Sequence, residues 1–380
     1  DDALKQFVNP ALDYNIELMK KLFAETSDFV VRQFHFGSNR EIRVGLVFID
    51  GLVDQTSISE SIFKPFMMQT LEGDSELLPE DPYQMILNWL VTFYSIKEEV
   101  EIGKLLDLLL AGFAILFIDG SEKALAIEVK GWDARSIEEP AAESFVRGSR
   151  EGFTETLRTN TALIRRRIRT PNIRFDMLQV GTVTKTDICI VYIDGLVNPK
   201  LVTEVNNRLQ RIDTDSILES GYIEDFIRDN YRTPFSLLDR TERPDKVAGS
   251  LLEGRVAIMV DTTPFVLIAP AIFSEFLQSP EDYYESHDYI RPFRWIALLL
   301  TLTLPSFYVA LTSFHQEMIP TSLALSMAVG RAGVPFPAVV EAFLMEVTFD
   351  FLREAGTRMP RSVGQAVGVV GALVLGQAAV

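Results

Sequence analysis

Three aspartates stand where chemistry could be done: Asp50, Asp119 and Asp194 each follow an apolar, strand-like run and precede a glycine. A carboxylate at a strand end can ligate a metal or orient a substrate. Asp-Gly is also the preferred turn pair, and the turn is the reading taken here. The chain carries no Gly-x-x-x-x-Gly-Lys-Ser/Thr loop, no His-Glu-x-x-His helix and no histidine within a nucleophile motif. His35, His287 and His315 are far apart and Cys189 is the single cysteine, so neither a zinc ligand set nor an internal disulfide is expected. Cys189 lies in Ile-Cys-Ile-Val at strand periodicity and reads as core. His315 and Glu317, just past an apolar run, read as loop residues at a membrane surface. The sequence therefore predicts no catalytic residue, no cofactor and no metal.

Charge clusters offer a different chemistry. Arg165, Arg166 and Arg167 end a helical stretch, where cations complement the helix dipole. They read as a solvated helix end or an interdomain ion-pair surface, or else as a contact for an acidic partner or anionic lipid. They are the candidate partner contact. Further on, Glu346, Asp350 and Arg353 recur at helical spacing, and with Glu341 they make a candidate hydrated membrane face. A charge facing lipid at mid-membrane costs roughly 2.5 to 3.5 kcal/mol, so such a face must turn to water or protein. Gly364, Gly368, Ala372 and Gly376, four apart, form a ridge on which another helix backbone could pack closely.

These residues need elements to hold them. The 380 residues carry a net charge of -17, yet mean hydropathy is +0.14, so part of the chain must be very apolar. An acidic chain of pI near 4.7 is not built to neutralise phosphates, which excludes nucleic acid as the main partner. Trp295 to Phe314 and Ser362 to Val380 are uncharged runs of membrane-crossing length. Arg291 and Arg294 flank the first on its near side, which predicts that the preceding part is cytoplasmic. Pro305 inside that run is tolerable where neighbours supply hydrogen bonds. A chain that begins Asp-Asp and stops in an apolar run is expected to be a fragment of a longer protein.

A duplication organises the first 289 residues. Phe48-Ile49-Asp50-Gly51-Leu52-Val53 recurs as Tyr192-Ile193-Asp194-Gly195-Leu196-Val197, at an offset of 144. Leu109 to Asp119 matches Leu251 to Asp261 at an offset of 142. In the first copy, strands are predicted over Phe29 to Phe36, Ile42 to Ile49, Ala114 to Ile118 and Ala124 to Val129. Helices fall between, over Ile58 to Leu71, Tyr83 to Tyr94 and Gly103 to Leu110. The second copy repeats this with strands Ile173 to Val180, Ile188 to Ile193, Val256 to Val260 and Phe265 to Ile268, and a helix from Lys200 to Ile212. A helix over Ala141 to Ile168 links the copies. The predicted fold is thus tandem α/β soluble subdomains, mixed β-sheets covered by helices, followed by an α-helical transmembrane region. The predicted domains are 1–140, 141–289 with the linking helix, and 290–380 as the start of a membrane domain.

A family resemblance rests on longer motifs. Glu138-Glu139-Pro140, Arg147-Gly148, Arg150-Glu151-Gly152-Phe153 and Asn160-Thr161-Ala162-Leu163-Ile164-Arg165-Arg166-Arg167 form one group. Phe314-His315-Gln316-Glu317-Met318-Ile319-Pro320, Val334-Pro335-Phe336-Pro337, Arg353-Glu354-Ala355-Gly356, Pro360-Arg361 and Gly364-Gln365-Ala366 form another. Together they resemble the A subunits of spore germinant receptors, the GerA family. The His-Gln-Glu-Met-Ile-Pro segment is closer to these subunits than to the related SpoVAF-type branch. The resemblance implies a multi-span protein of the spore inner membrane with cytoplasmic α/β subdomains. It implies a transporter-like B subunit that senses nutrients, a lipoprotein C subunit, and a homo-oligomer that conducts ions when germination is triggered. It also implies further spans beyond Val380. The alternative expectation is a non-conducting scaffold that recruits partners through its tandem domains.

Overall fold

The computed structural model describes residues 5–24, 26–36, 42–64, 82–89, 95–131, 149–229, 232–233, 236–279, 282, 287–333 and 335–358. Alternation of side chains along the strands dictates the first layer of structure. In strand β2 (Ile42–Ile49), Val44, Leu46 and Phe48 join one apolar cluster while Val47 and Ile49 join another. β4 (Phe113–Ile118) and β5 (Ala124–Glu128) alternate in the same way, so the sheet is buried on both faces. With β1 (Phe29–Phe36) and β3 (Ile96–Glu99) they form a five-stranded sheet in the order β1-β2-β4-β5-β3. Helices α1 (Leu12–Phe23) and α4 (Ile102–Leu110) cover one face. The short α2 (Gln55–Ile58), which runs on into a π turn over Ser59–Phe63, and α3 (Pro82–Trp89) cover the other.

The second sheet repeats the plan. β6 (Ile173–Val180), β7 (Thr186–Ile193), β8 (Asp239–Thr241), β9 (Val256–Val260) and β10 (Val266–Ala269) order as β6-β7-β9-β10-β8. Helices α5 (Leu157–Arg167) and α8 (Pro244–Leu252) pack on one face, and α6 (Pro199–Gln210) and α7 (Ser220–Ile227) on the other. Phe29 pairs with Ile49 as Ile173 pairs with Ile193, and Val44 with Ile118 as Ile188 with Val260, so register itself is duplicated.

Three expectations are corrected here. The sheets are not mixed: every strand pairing among the described residues is antiparallel. The edge strands β3 and β8 were not foreseen, because Ile-Lys-Glu-Glu and Asp-Arg-Thr are short and charged, as sheet edges tend to be. Of the helix expected over Ala141 to Ile168, Leu157–Arg167 forms, 149–156 is not helical, and 141–148 lies outside the described residues. There the Phe153 amide donates to the Glu242 carbonyl and the Thr154 amide to Asn160 Oδ1, partners a helix would not provide. Gly37-Ser38-Asn39 and the ends of the helices expected over Ile58 to Leu71 and Tyr83 to Tyr94 lie outside the described residues.

Chain contacts divide the molecule at Tyr284/Glu285. In the second unit α9 (His287–Ser313) contains a segment, Arg291–Ser313, long and apolar enough to cross a membrane, with mean hydropathy 1.7. It is the one such helix among the described residues. Its large apolar side chains point outward, Leu302 at 71% and Phe293 at 67% exposure. α10 (Thr321–Arg331) is short, and α11 (Ala338–Arg358) packs against α9. At 100° per residue Glu346, Asp350 and Arg353 lie within an arc of about 60°, whereas Glu341 sits about 140° from Glu346. Glu341 therefore leaves the predicted face and is half-buried, while the other three are exposed. Gly364, Gly368, Ala372 and Gly376 lie outside the described residues.

Candidate functional site

Each copy opens with a helix nailed to its sheet by the same two devices. Asn15 Oδ1 accepts the Asn9 amide at 2.8 Å and its Nδ2 donates to the Asn9 carbonyl at 2.6 Å. Asn160 does the same with Thr154, at 2.8 and 2.6 Å. Asp119 Oδ1 accepts the first amide of α1, from Leu12, and Asp261 Oδ1 accepts the first amide of α5, from Leu157, both at 3.0 Å. These carboxylates satisfy amides that a helix start leaves without partners. Asp119 thus has a structural task.

α5 then crosses the end of the first sheet, and the two copies meet there. Arg165 is 1% exposed and forks onto Asp28, Nε to Oδ2 at 2.7 Å and Nη2 to Oδ1 at 2.8 Å. Its Nη1 donates to the Thr170 carbonyl at 2.9 Å, and its guanidinium lies 4.8 Å from the Phe175 ring centroid and 5.9 Å from that of Phe23. Thr26 Oγ1 donates to Asp28 at 2.9 Å, so both charges are held by several groups, as a buried pair requires. Thr26 Oγ1 accepts the Phe175 amide at 3.1 Å and Ser27 Oγ donates to the Phe175 carbonyl at 2.6 Å, which extends edge strand β6 with the first copy's own chain. Arg174 adds bonds to the Phe23 and Pro171 carbonyls at 2.9 and 2.7 Å and reaches Asp194 at 3.3 Å.

Beside this seam lies a cleft of about 510 Å³ lined by both copies. Asp50 pairs with Arg158 and accepts from Gln55 at 3.0 Å. Gly51, at φ +84°, brings its backbone against α5, where an added Cβ would sit 2.8 Å from that of Ala162. Asp54 caps α2; the Ser57 hydroxyl, at 2.6 Å, and the Thr56 and Ser57 amides hold its carboxyl below the usual range despite some burial. The cations at the cleft, Lys130, Arg158 and Arg166, each have an acidic partner in Glu128, Asp50 and Glu151. Neither histidine nor cysteine lines it, and no group of three His, Cys, Asp or Glu that could hold a metal occurs among the described residues. The arrangement joins two bodies through paired charges and leaves a hollow of mixed lining between them.

The predicted residues thus scatter. Arg165 is corrected as a partner contact: its charge is buried within the chain, on the interdomain ion pair that was the other reading of this cluster. Arg166 and Arg167 both hold Glu151 and remain partly exposed. Asp50 and Asp194 engage arginines. Cys189 is core, and burial first, then Asp28 and Asp176, pushes its thiol well up. Sequence reasoning missed Asp28, Asn15, Arg158 and Asp261. The last belonged to a repeated motif, and Asn15 and Asn160 stand within one position of the repeat's 144-residue offset; nothing local marked Asp28.

Residues 17–380 match the family model described as Bacillus/Clostridium GerA spore germination protein. The chain belongs to the GerA family. It is 47% identical over 376 residues to spore germination protein KA of Bacillus subtilis (strain 168), covering 98% of this chain and 68% of that protein. It is 38% identical to spore germination protein B1 of the same organism, over 98% of this chain and 76% of that one. A crystal structure of the N-terminal domain of the A subunit of the Bacillus megaterium spore germinant receptor GerK3 superposes with a TM-score of 0.56. It shares 37% identity and covers 70% of this chain and 98% of that one. The GerA chain described here therefore has a role in spore germination, and its tandem α/β part shares that domain's fold.

Proposed function

We propose that this chain is the A subunit of a germinant receptor, a multi-pass protein of the spore inner membrane that oligomerises and conducts ions once a nutrient-sensing B subunit is engaged. A lipoprotein C subunit completes the receptor. Residues 1–140 and 141–289 form the paired cytoplasmic subdomains and a membrane domain starts near residue 290. The observation that carries this reading is the family match running unbroken through both units, including the outward-facing apolar α9. Hydroxyls on that helix donate to its own carbonyls, Thr301 to Ala297 and Thr303 to Leu299, both at 2.8 Å, so neither presents an unsatisfied donor to lipid.

Within the membrane domain, Glu346, Asp350 and Arg353 on α11 are the groups that would face a water-filled passage, since facing lipid costs each roughly 2.5 to 3.5 kcal/mol. The ridge Gly364, Gly368, Ala372 and Gly376 would pack against a neighbouring helix. The paired subdomains, locked by Asp28 and Arg165, move as one body and relay partner binding to that bundle. Potassium release from spores carrying Glu346→Gln with Asp350→Asn tests the reading. Slower release at unchanged receptor level is expected; an unchanged rate would remove these carboxylates from the ion path.

A further inference from the structure

One end of the second sheet exposes large apolar side chains that the fold does not bury. β7 ends at Ile193 and β9 begins at Val256, pairing with Ala269 of β10, so the segments after β7 and β10 and before β9 share this end. They carry Leu196 at 49%, Leu252 at 60%, Ile272 at 52%, Phe273 at 51% and Phe276 at 53% exposure. Phe273 and Phe276 lie on a 3-10 turn, Phe273–Leu277, with ring centroids 6.4 Å apart. The turn is held in place from beneath, where Glu275, 9% exposed, pairs with Arg255 at the start of β9. Ile272 and Phe276 thus stand half-exposed on a turn held by an ion pair.

The covering phase follows from the chain itself. Only the 14 residues Leu277 to Ile290 separate Phe276 from Arg291, where the apolar segment begins. Fully extended they reach about 50 Å, so a membrane crossed by Arg291–Ser313 is never farther from the rings than that. A tether this short presents the patch to the bilayer at an effective concentration on the order of millimolar, so weak apolar contacts suffice. Aromatic side chains favour the headgroup–acyl boundary of a bilayer. We infer that Ile272 and Phe276 dock the second subdomain onto a phospholipid surface. This rests on the reading of α9 as a membrane span.

Nitroxide labels on the full-length protein in phosphatidylcholine/phosphatidylglycerol vesicles test it, read by relaxation with oxygen, which prefers lipid, and with a water-soluble nickel chelate. Label positions are Phe276→Cys and, independently, Ile272→Cys. Val183→Cys serves as the water control, since Val183 is 76% exposed on the hairpin at the opposite end of the same sheet, and Thr301→Cys is the span control. Buried Cys189 is out of reach of the label. The expected result is an oxygen-to-nickel ratio several-fold higher at 272 and 276 than at 183. A ratio at 272 and 276 equal to that at 183, with 301 in lipid, overturns the docking and leaves the span standing. Exclusion of both reagents at 272 and 276 overturns it in favour of a protein partner. A water-like ratio at 301 removes the span and the docking together.

Discussion

Replacing Arg165 by methionine strikes the seam where the two subdomains are joined. Arg165 makes two charge-assisted bonds to Asp28, at 2.7 and 2.8 Å, and satisfies the Thr170 carbonyl, all inside a site where its side chain is 1% exposed. Methionine keeps much of the apolar stem and the contact with Phe175 but leaves the Asp28 carboxylate buried with only the Thr26 hydroxyl. Truncating one partner of a buried pair costs about 3 to 5 kcal/mol. An exposed pair would cost about 1 kcal/mol or less. The assay is denaturant unfolding of the tandem unit 1–284, with Asp28→Leu and the double variant completing a cycle. The double variant should be markedly more stable than the sum of the single losses, because the methionine and leucine then pack together without a stranded charge. Since Asp28 and Arg165 belong to different copies, each single variant should also split one transition into two. A loss below about 1 kcal/mol for Arg165→Met, or strict additivity in the cycle, would refute the argument that the seam depends on this pair.

Further outcomes follow from neighbouring geometry. Burial first, then the Asp176 carboxylate accepting its hydroxyl at 2.9 Å, pushes Tyr192 up to about 12 from 10.0. A folded value raised above the unfolded one contributes stability below pH 10.0 that is lost as pH climbs towards about 12; a pH series of unfolding should show that decline, and Tyr192→Phe should abolish it. Gly51 and Gly195 are repeat equivalents with φ of +84° and +80°, but a Cβ at Gly51 would meet Ala162 at 2.8 Å while one at Gly195 meets nothing within 4 Å. Gly51→Ala should therefore cost about 1 to 3 kcal/mol more than Gly195→Ala in thermal unfolding, the clash adding to a strain common to both.

Much of the fold was legible because its signals are local. Four strands of each copy, β1, β2, β4 and β5 and their counterparts β6, β7, β9 and β10, announce themselves by alternation or by unbroken apolar runs. α1 was missed, although Leu12, Ile16, Met19 and Phe23 are buried at helical spacing. The seam was not legible, because Asp28 and Arg165 stand 137 positions apart and a run of three arginines reads as a surface feature whichever one turns inward. Only packing shows that the first arginine points into the protein and the next two towards Glu151. The charged face of α11 was half legible: helical spacing groups Glu346, Asp350 and Arg353 and rules out Glu341, whereas what that face meets depends on neighbours the sequence of one helix does not name.

Single-channel recording tests the central claim most directly. Full-length protein incorporated into planar bilayers together with its B and C subunits should give discrete cation-selective steps once the B subunit is engaged, and Glu346→Gln should lower their amplitude by removing a charge from the conducting surface. Steps of equal amplitude in both proteins, or bilayers that stay silent with inserted protein, would contradict it.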